Sequence, residues 1–357
     1  MDILPTGPVI NTLKVITPAA LAFFIGIGIT PFLTDFLYRN KMWKKKVRTK
    51  TMDGKEAVVF QSLHKEKEVG TPKMGGIIIW GSALVTILLL WALSLVIDTD
   101  VAQKLNFLSR GQTWVPLFAL MMGAGFGFLD DYFEVTERKD YVGGGMSLKK
   151  RLLVVTLISL ASGWWFYSKL GVSEIHIPFN GDINIGILFI PFFLIVTLGL
   201  YSGGVIDGID GLAGGVFSSM FAAYGVIAFA NNQIDLAAFC FVLVGALLAF
   251  LWFNIPPARF YMSETGSMAL TVTLSVVAFL TQEVLLLLII AFPLVATVAS
   301  NVIQMTSKKF RDKKVFQIAP LHHHFEALGW PNYKVTMRYW IISLIFAFMG
   351  VILALLG

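Results

Sequence analysis

Four places in an otherwise apolar chain gather side chains that could do chemistry. Asp130-Asp131 follows directly on Gly123-Ala-Gly-Phe-Gly-Phe-Leu. Asp207 and Asp210 lie three residues apart in the glycine-rich stretch Ser202-Gly-Gly-Val-Ile-Asp-Gly-Ile-Asp-Gly-Leu-Ala-Gly-Gly. Glu264 sits in Phe260-Tyr-Met-Ser-Glu-Thr-Gly-Ser267, and His322-His323-His324 in Pro320-Leu-His-His-His-Phe-Glu-Ala-Leu-Gly-Trp330. Carboxylates bind Mg²⁺, which also coordinates phosphate oxygens. Histidines and lysines hold the remaining phosphate charge, so the set suits phosphoryl transfer. Zinc would want a further well-spaced ligand beside the histidines, and phosphate binding or proton transfer fits them better. Adjacent acids at a helix C-terminus meet the unfavourable end of its dipole, so Asp130-Asp131 calls for a cationic partner. Glu264 has a plainer reading, as a first-turn acid behind an N-cap at Ser263. No Gly-x-x-x-x-Gly-Lys-Ser/Thr loop is present, which argues against an ATP-driven pump.

The elements that carry these residues are membrane spans. Of 357 residues, 56% are hydrophobic and only 14% charged, with a mean hydropathy of +0.75. A soluble domain carries about 25% charged residues, and disorder needs low hydrophobicity. The single cysteine, Cys240, excludes a disulfide framework. Continuously apolar runs predict ten helical spans, at about 15–38, 74–97, 114–129, 152–170, 185–203, 215–230, 235–253, 267–282, 284–305 and 339–356. A β-barrel would alternate instead. Pro293 is expected to kink the ninth span. No basic cluster precedes the first span, so the N-terminus does not read as a cleavable signal.

Segments after the odd-numbered spans hold 24 of the 28 Lys and Arg residues. The positive-inside rule makes those segments cytoplasmic and places both termini outside. All the candidate chemistry then falls on the cytoplasmic face. Outside, Glu174–Asn184 reads as a hairpin turning at Asn180-Gly181, with His176 a surface residue. The expected architecture is an all-α polytopic membrane protein of about ten helices, one integral unit over 1–357, with a small external β-hairpin.

Gly70-Thr-Pro-Lys-Met-Gly-Gly76, Gly127-Phe-Leu-Asp-Asp-Tyr132, Asp207-Gly-Ile-Asp-Gly-Leu-Ala213 and Ala319-Pro-Leu-His-His-His-Phe-Glu326 occur in this order. Together they resemble the bacterial phospho-N-acetylmuramoyl-pentapeptide transferases, of the polyprenyl-phosphate N-acetylhexosamine-1-phosphate transferase superfamily. The resemblance runs from about residue 15 to the C-terminus. It implies transfer of phospho-MurNAc-pentapeptide from UDP-MurNAc-pentapeptide to undecaprenyl phosphate, giving lipid I and UMP for peptidoglycan synthesis. It also implies Mg²⁺ as cofactor, a homodimer in the bacterial inner membrane, a cytoplasmic active site and no nucleic-acid partner. By position it implies a catalytic set of Asp130, Asp131, Asp207, Asp210 and His322. Glu264, Asp207 and Asp210 would hold metal. Tyr261, Asp210, His322, His323, His324, Lys73 and Arg138 would bind substrate, Tyr261 by stacking on uracil.

Three positions depart from the family's pattern. Glu264 replaces an expected metal-binding Asp, Tyr201-Ser-Gly-Gly204 replaces Asn-x-x-Asn, and Glu134 stands where Lys is common. Glutamate remains a competent hard-oxygen ligand. Lys73, Arg138 or Lys139 could supply the charge lost at 134. The alternatives are a sister enzyme using UDP-N-acetylglucosamine and a non-catalytic membrane binding or transport protein that kept the fold.

Overall fold

The computed structural model describes residues 7–45, 69–109, 111–136 and 145–357. Helix α1 (Gly7–Arg39) is followed by α2 (Gly76–Val96), the short α3 (Asp100–Leu105), α4 (Trp114–Val135) and α5 (Leu148–Lys169). Strands β1 (Glu174–Ile177) and β2 (Gly181–Asn184) lead to α6 (Phe189–Gly203). The remainder is α7 (Leu212–Ala230), α8 (Ile234–Asn254), α9 (Ser263–Leu280), α10 (Leu287–Ile290), α11 (Phe292–Arg311), α12 (Leu321–Ala327) and α13 (Asn332–Leu356).

Among the described residues, eight helices are long and apolar enough to cross a membrane: α1, α2, α5, α6 with its flanking turns, α7, α8, α9 and α13. This is the all-α polytopic architecture expected. Such spans satisfy every backbone group internally, which lipid demands. Helix α4 falls short on composition, through its glycines and its three acids. It packs along α9 all the same, and so lies at the same depth. Nearly all of α9 is buried, ringed by α2, α4, α6 and α7. Its N-terminus is where the site forms.

Two expectations need correcting. The ninth span, 284–305, does not form as one helix. The chain breaks at Ala291, leaving the four-residue α10 before it and α11 after it. Pro293 lies in the first turn of α11 rather than kinking a longer helix. Proline lacks only an N–H that a helix start leaves unpaired anyway. The hairpin turn also differs. Ile177 pairs with Gly181, so the turn is Pro178-Phe179-Asn180 and Gly181 opens β2 with φ +83°. His176 is a surface residue, its Nδ1 2.7 Å from Asp182 Oδ1.

Candidate active site

Glycine lets three helices meet at the head of α9. A Cβ on Gly127 of α4 would stand 2.2 Å from the Glu264 carbonyl oxygen, and one on Gly76 of α2 2.3 Å from the Gly266 nitrogen. No larger residue permits these approaches. They bring the acidic pair of α4 to the first turn of α9, whose unpaired N–H groups attract anions.

The pair is fully buried. Asp131 Oδ2 accepts from the Thr265 N–H at 2.8 Å and the Thr265 hydroxyl at 2.6 Å. Its Oδ1 lies 3.6 Å from Lys73 Nζ. Asp130 Oδ1 accepts from the Met146 N–H, and its Oδ2 pairs with Arg151 Nη2 at 2.8 Å. The cationic partner that the adjacent acids require is therefore divided between Lys73 and Arg151. Helix α4 also continues one turn beyond the pair, to Val135, so the acids lie within the helix rather than at its end.

Glu134, one turn on, pairs with Lys73 and with Lys44 Nζ, the latter at 2.9 Å. The charge reversal at 134 is thus met by Lys73 and by a lysine just beyond α1. Burial alone would lower the Lys73 pKa, but Glu134 and Asp131 outweigh it and hold its ammonium above the ordinary value. The proposed contributions of Arg138 and Lys139 fall outside the described residues.

Glu264 reaches Arg151 rather than its own helix start, with Oε1 2.7 Å from Nη1. Tyr201, the departure on α6, donates its hydroxyl to Glu264 Oε2 at 3.5 Å. Two of the three departures from the family pattern are therefore in contact. Ser263 is not an N-cap. It is the first helical residue, at φ +58°, with no side-chain cap ahead of it. Its N–H donates to Asp207 Oδ2 at 2.7 Å. Burial pushes the Asp207 carboxyl up to about 6 despite that bond.

Asp210 Oδ2 accepts from the Ala258 N–H at 3.3 Å. Its loop is pinned by Asn254, which accepts from the Gly211 N–H at 2.9 Å, and by Trp340, which donates to the Gly211 carbonyl at 3.0 Å. His322 and His323 pack against this loop. A Cβ on Gly208 would meet Nε2 of each at 2.7 Å. His323 Nδ1 is 2.6 Å from Glu326 Oε2, which orients the ring. His324 does not share this position. Its Nδ1 accepts from the Gln317 N–H at 3.3 Å, beside Phe316. Tyr261 is half-buried, and its backbone brackets the Pro72–Gly75 turn through bonds of 2.9 and 2.8 Å.

Sequence reasoning missed Arg151, Lys44, Thr265 and a polar stripe on α11. Thr297, Ser300, Gln304 and Ser307 recur every three or four residues on its buried face. Gln304 accepts from the N–H groups of Val315 and Phe316 at 3.0 Å and donates to the Phe316 carbonyl at 2.9 Å. Ser300 accepts from the Leu321 N–H at 3.0 Å, at the start of the histidine helix. The signal was present as helical periodicity of polar residues inside an expected span.

Six carboxylates (Asp130, Asp131, Glu134, Asp207, Asp210 and Glu264) here meet three cationic side chains, Lys44, Lys73 and Arg151. No hydrogen-bond donor among the described residues reaches the buried Asp131 Oδ1. Among the described residues no three acids or histidines close on one ion. Mg²⁺ does not require that, since one or two carboxylates plus substrate phosphates and water usually complete its shell. The excess of hard anionic oxygen fits such an ion.

Residues 113–282 match the family described as glycosyl transferase family 4. Over 334 residues the chain is 34% identical to a phospho-N-acetylmuramoyl-pentapeptide-transferase of Geobacillus sp. (strain WCH70), covering 93% of this chain and 95% of that protein. An enzyme of the same name from Bacillus cytotoxicus is 32% identical over 343 residues, covering 93% of this chain and 95% of its own length. One from Clostridium perfringens (strain 13 / Type A) is 32% identical over 340 residues, covering 94% and 98%. These relatives are more than 30% identical over more than nine-tenths of the chain, and the chain belongs to the phospho-N-acetylmuramoyl-pentapeptide-transferase family.

Proposed function

We propose that the protein transfers phospho-MurNAc-pentapeptide from UDP-MurNAc-pentapeptide to undecaprenyl phosphate, forming lipid I and UMP. The observation that carries this is the three-residue head of α9. Ser263 holds Asp207, Glu264 holds the cation paired with Asp130, and Thr265 holds Asp131. Acids from three distant sequence motifs thus converge at one end of an apolar bundle. A lipid phosphate and a soluble nucleotide can meet there.

Mg²⁺, held by Glu264 with Asp207 or Asp210, would neutralise the charge that develops on the diphosphate. The acidic pair faces the acceptor phosphate, taking its proton or orienting the attacking oxygen. That oxygen attacks the phosphate bearing MurNAc, and UMP leaves. Lys73 and the His322–His323 pair hold the remaining phosphate charge, and Tyr261 stacks on the uracil ring. The excess of Lys and Arg in the segments after the odd-numbered spans supports a site on the cytoplasmic side of the inner membrane. The homodimer implied by the resemblance is part of the same proposal.

The test is donor choice by purified protein in detergent with undecaprenyl phosphate. UMP release with UDP-MurNAc-pentapeptide, stopped by EDTA, is expected. Release with UDP-N-acetylglucosamine alone would move the protein to the sister enzyme. Release with neither donor, from folded protein, would leave a non-catalytic relative.

A further inference from the structure

The guanidinium of Arg151 ties together two carboxylates to which the proposed chemistry gives different work. Nη2 pairs with Asp130 at 2.8 Å and Nη1 with Glu264 at 2.7 Å. The two halves of this bridge are not equivalent. The Asp130 side chain is fully buried, whereas those of Arg151 and Glu264 keep 21% and 22% exposure. On the Asp130 side the pair is sealed by backbone. A Cβ on Gly145 would lie 2.9 Å from both Arg151 Nη2 and Asp130 Oδ1, and Met146 donates its N–H to the same carboxylate. On the Glu264 side, among the described residues, the carboxylate has only the long Tyr201 bond besides Arg151. The bond that can open is therefore the one from Arg151 to Glu264. Arg151 also holds a donor in reserve, since its buried Nε has no partner among the described residues.

Arg151 occupies Glu264 Oε1 and repels a divalent cation brought to the same carboxylate, so the two compete for it. We propose that Arg151 is the resident counter-ion of Glu264, displaced when the divalent cation binds, and that the released guanidinium becomes the arm holding the acceptor's phosphate monoester beside Asp130. The second half rests on the function proposed above. Arginine suits it, since its planar fork can keep Asp130 on one nitrogen and offer other N–H groups to phosphate oxygens. Metal loading and acceptor capture then become one event. The site presents its phosphate arm only after the metal has taken Glu264.

The first arm of the test needs no turnover. Mn²⁺ binding to purified protein without substrates is followed by electron paramagnetic resonance, with thermal unfolding as a check on folding. Removing the competitor should tighten binding, so Arg151→Gln is expected to bind Mn²⁺ at least tenfold more tightly than the natural protein. The double variant Arg151→Gln/Glu264→Gln should lose that gain. Arg151→Lys keeps the charge and cannot span both carboxylates, so it should bind Mn²⁺ more tightly too, and it decides the matter if Arg151→Gln does not fold. Unchanged or weaker Mn²⁺ binding in folded Arg151→Lys overturns the proposal.

The second arm is kinetic. Arg151→Gln should raise the KM for undecaprenyl phosphate at least tenfold with the nucleotide donor's KM within twofold, and Arg151→Lys should recover most of the loss. A rise in the donor's KM alone overturns the role toward the acceptor. If the natural protein transfers neither sugar, the function proposed above fails, while the Mn²⁺ arm still decides whether Arg151 and the metal compete.

Discussion

Thr265 gives the sharpest handle on the acidic pair. It donates two bonds to one oxygen of Asp131, and only the 2.6 Å bond from its hydroxyl can be removed without touching the backbone. Thr265→Val deletes that donor while keeping a β-branched shape in a fully buried position. A hydrogen bond to a charged group contributes about 1.5–3 kcal/mol. The carboxylate cannot recover it from solvent, because Asp131 is fully buried and its nearest cation, Lys73, is 3.6 Å away. At about 1.4 kcal/mol per factor of ten, turnover should fall roughly ten- to hundredfold if Asp131 must be held ionised and in this orientation. Thr265→Ser keeps the hydroxyl and should stay within about threefold of the natural rate. The assay is kcat for UMP release at saturating substrates, with thermal unfolding alongside. Natural turnover in Thr265→Val, or equal losses in Thr265→Val and Thr265→Ser, would refute the reasoning.

Gly127→Ala should force α4 and α9 apart, since its Cβ would sit 2.2 Å from the Glu264 carbonyl. A loss of about 1–3 kcal/mol, the usual cost of overpacking, together with more than tenfold lower turnover, would appear in thermal unfolding and kcat. Gln304→Leu removes three bonds to the segment ahead of the histidines. It should raise the nucleotide donor's KM several-fold with little change in that of undecaprenyl phosphate. Asp207 carries a pH dependence with a definite sign. Its carboxyl is raised to about 6 from an ordinary 3.8, so the fold favours its protonated form. Stability without metal should therefore fall as pH rises from about 4 through 6, by about 3 kcal/mol from this group. Metal binding needs the ionised form, so half-saturating Mg²⁺ should climb up to about tenfold per pH unit as pH falls below 6. A flat Mg²⁺ requirement from pH 5 to 7 would contradict the assignment.

Most of the fold was legible because span-length apolar runs leave the backbone few choices in lipid. The acids were legible for a related reason, since ionisable residues are costly at that depth and stand out. Two kinds of information were not. Hydropathy cannot see a chain break such as Ala291, because apolar residues on both sides read as one span. It also cannot pair side chains across the fold. Arg151 and Glu264 are 113 residues apart, and in sequence Arg151 is one more cation in a basic stretch. The substitution at 134 likewise reads in sequence as a lost charge, whereas in the fold Lys44 and Lys73 close around it. The hairpin turn is three residues long and ends at Asn180, since Asn180-Gly181 also suits a turn whose glycine enters the strand.

The central claim is that the buried pair on α4 performs the transfer to the lipid phosphate. The most direct measurement is single-turnover formation of lipid I from UDP-MurNAc-pentapeptide and undecaprenyl phosphate, comparing the natural protein with folded Asp130→Asn and Asp131→Asn. Each substitution keeps the shape and removes the charge. The account predicts one UMP per lipid I in the natural protein and a rate lower by at least about a hundredfold in each variant, the scale of lost acid–base assistance. Near-natural rates in both variants would contradict it.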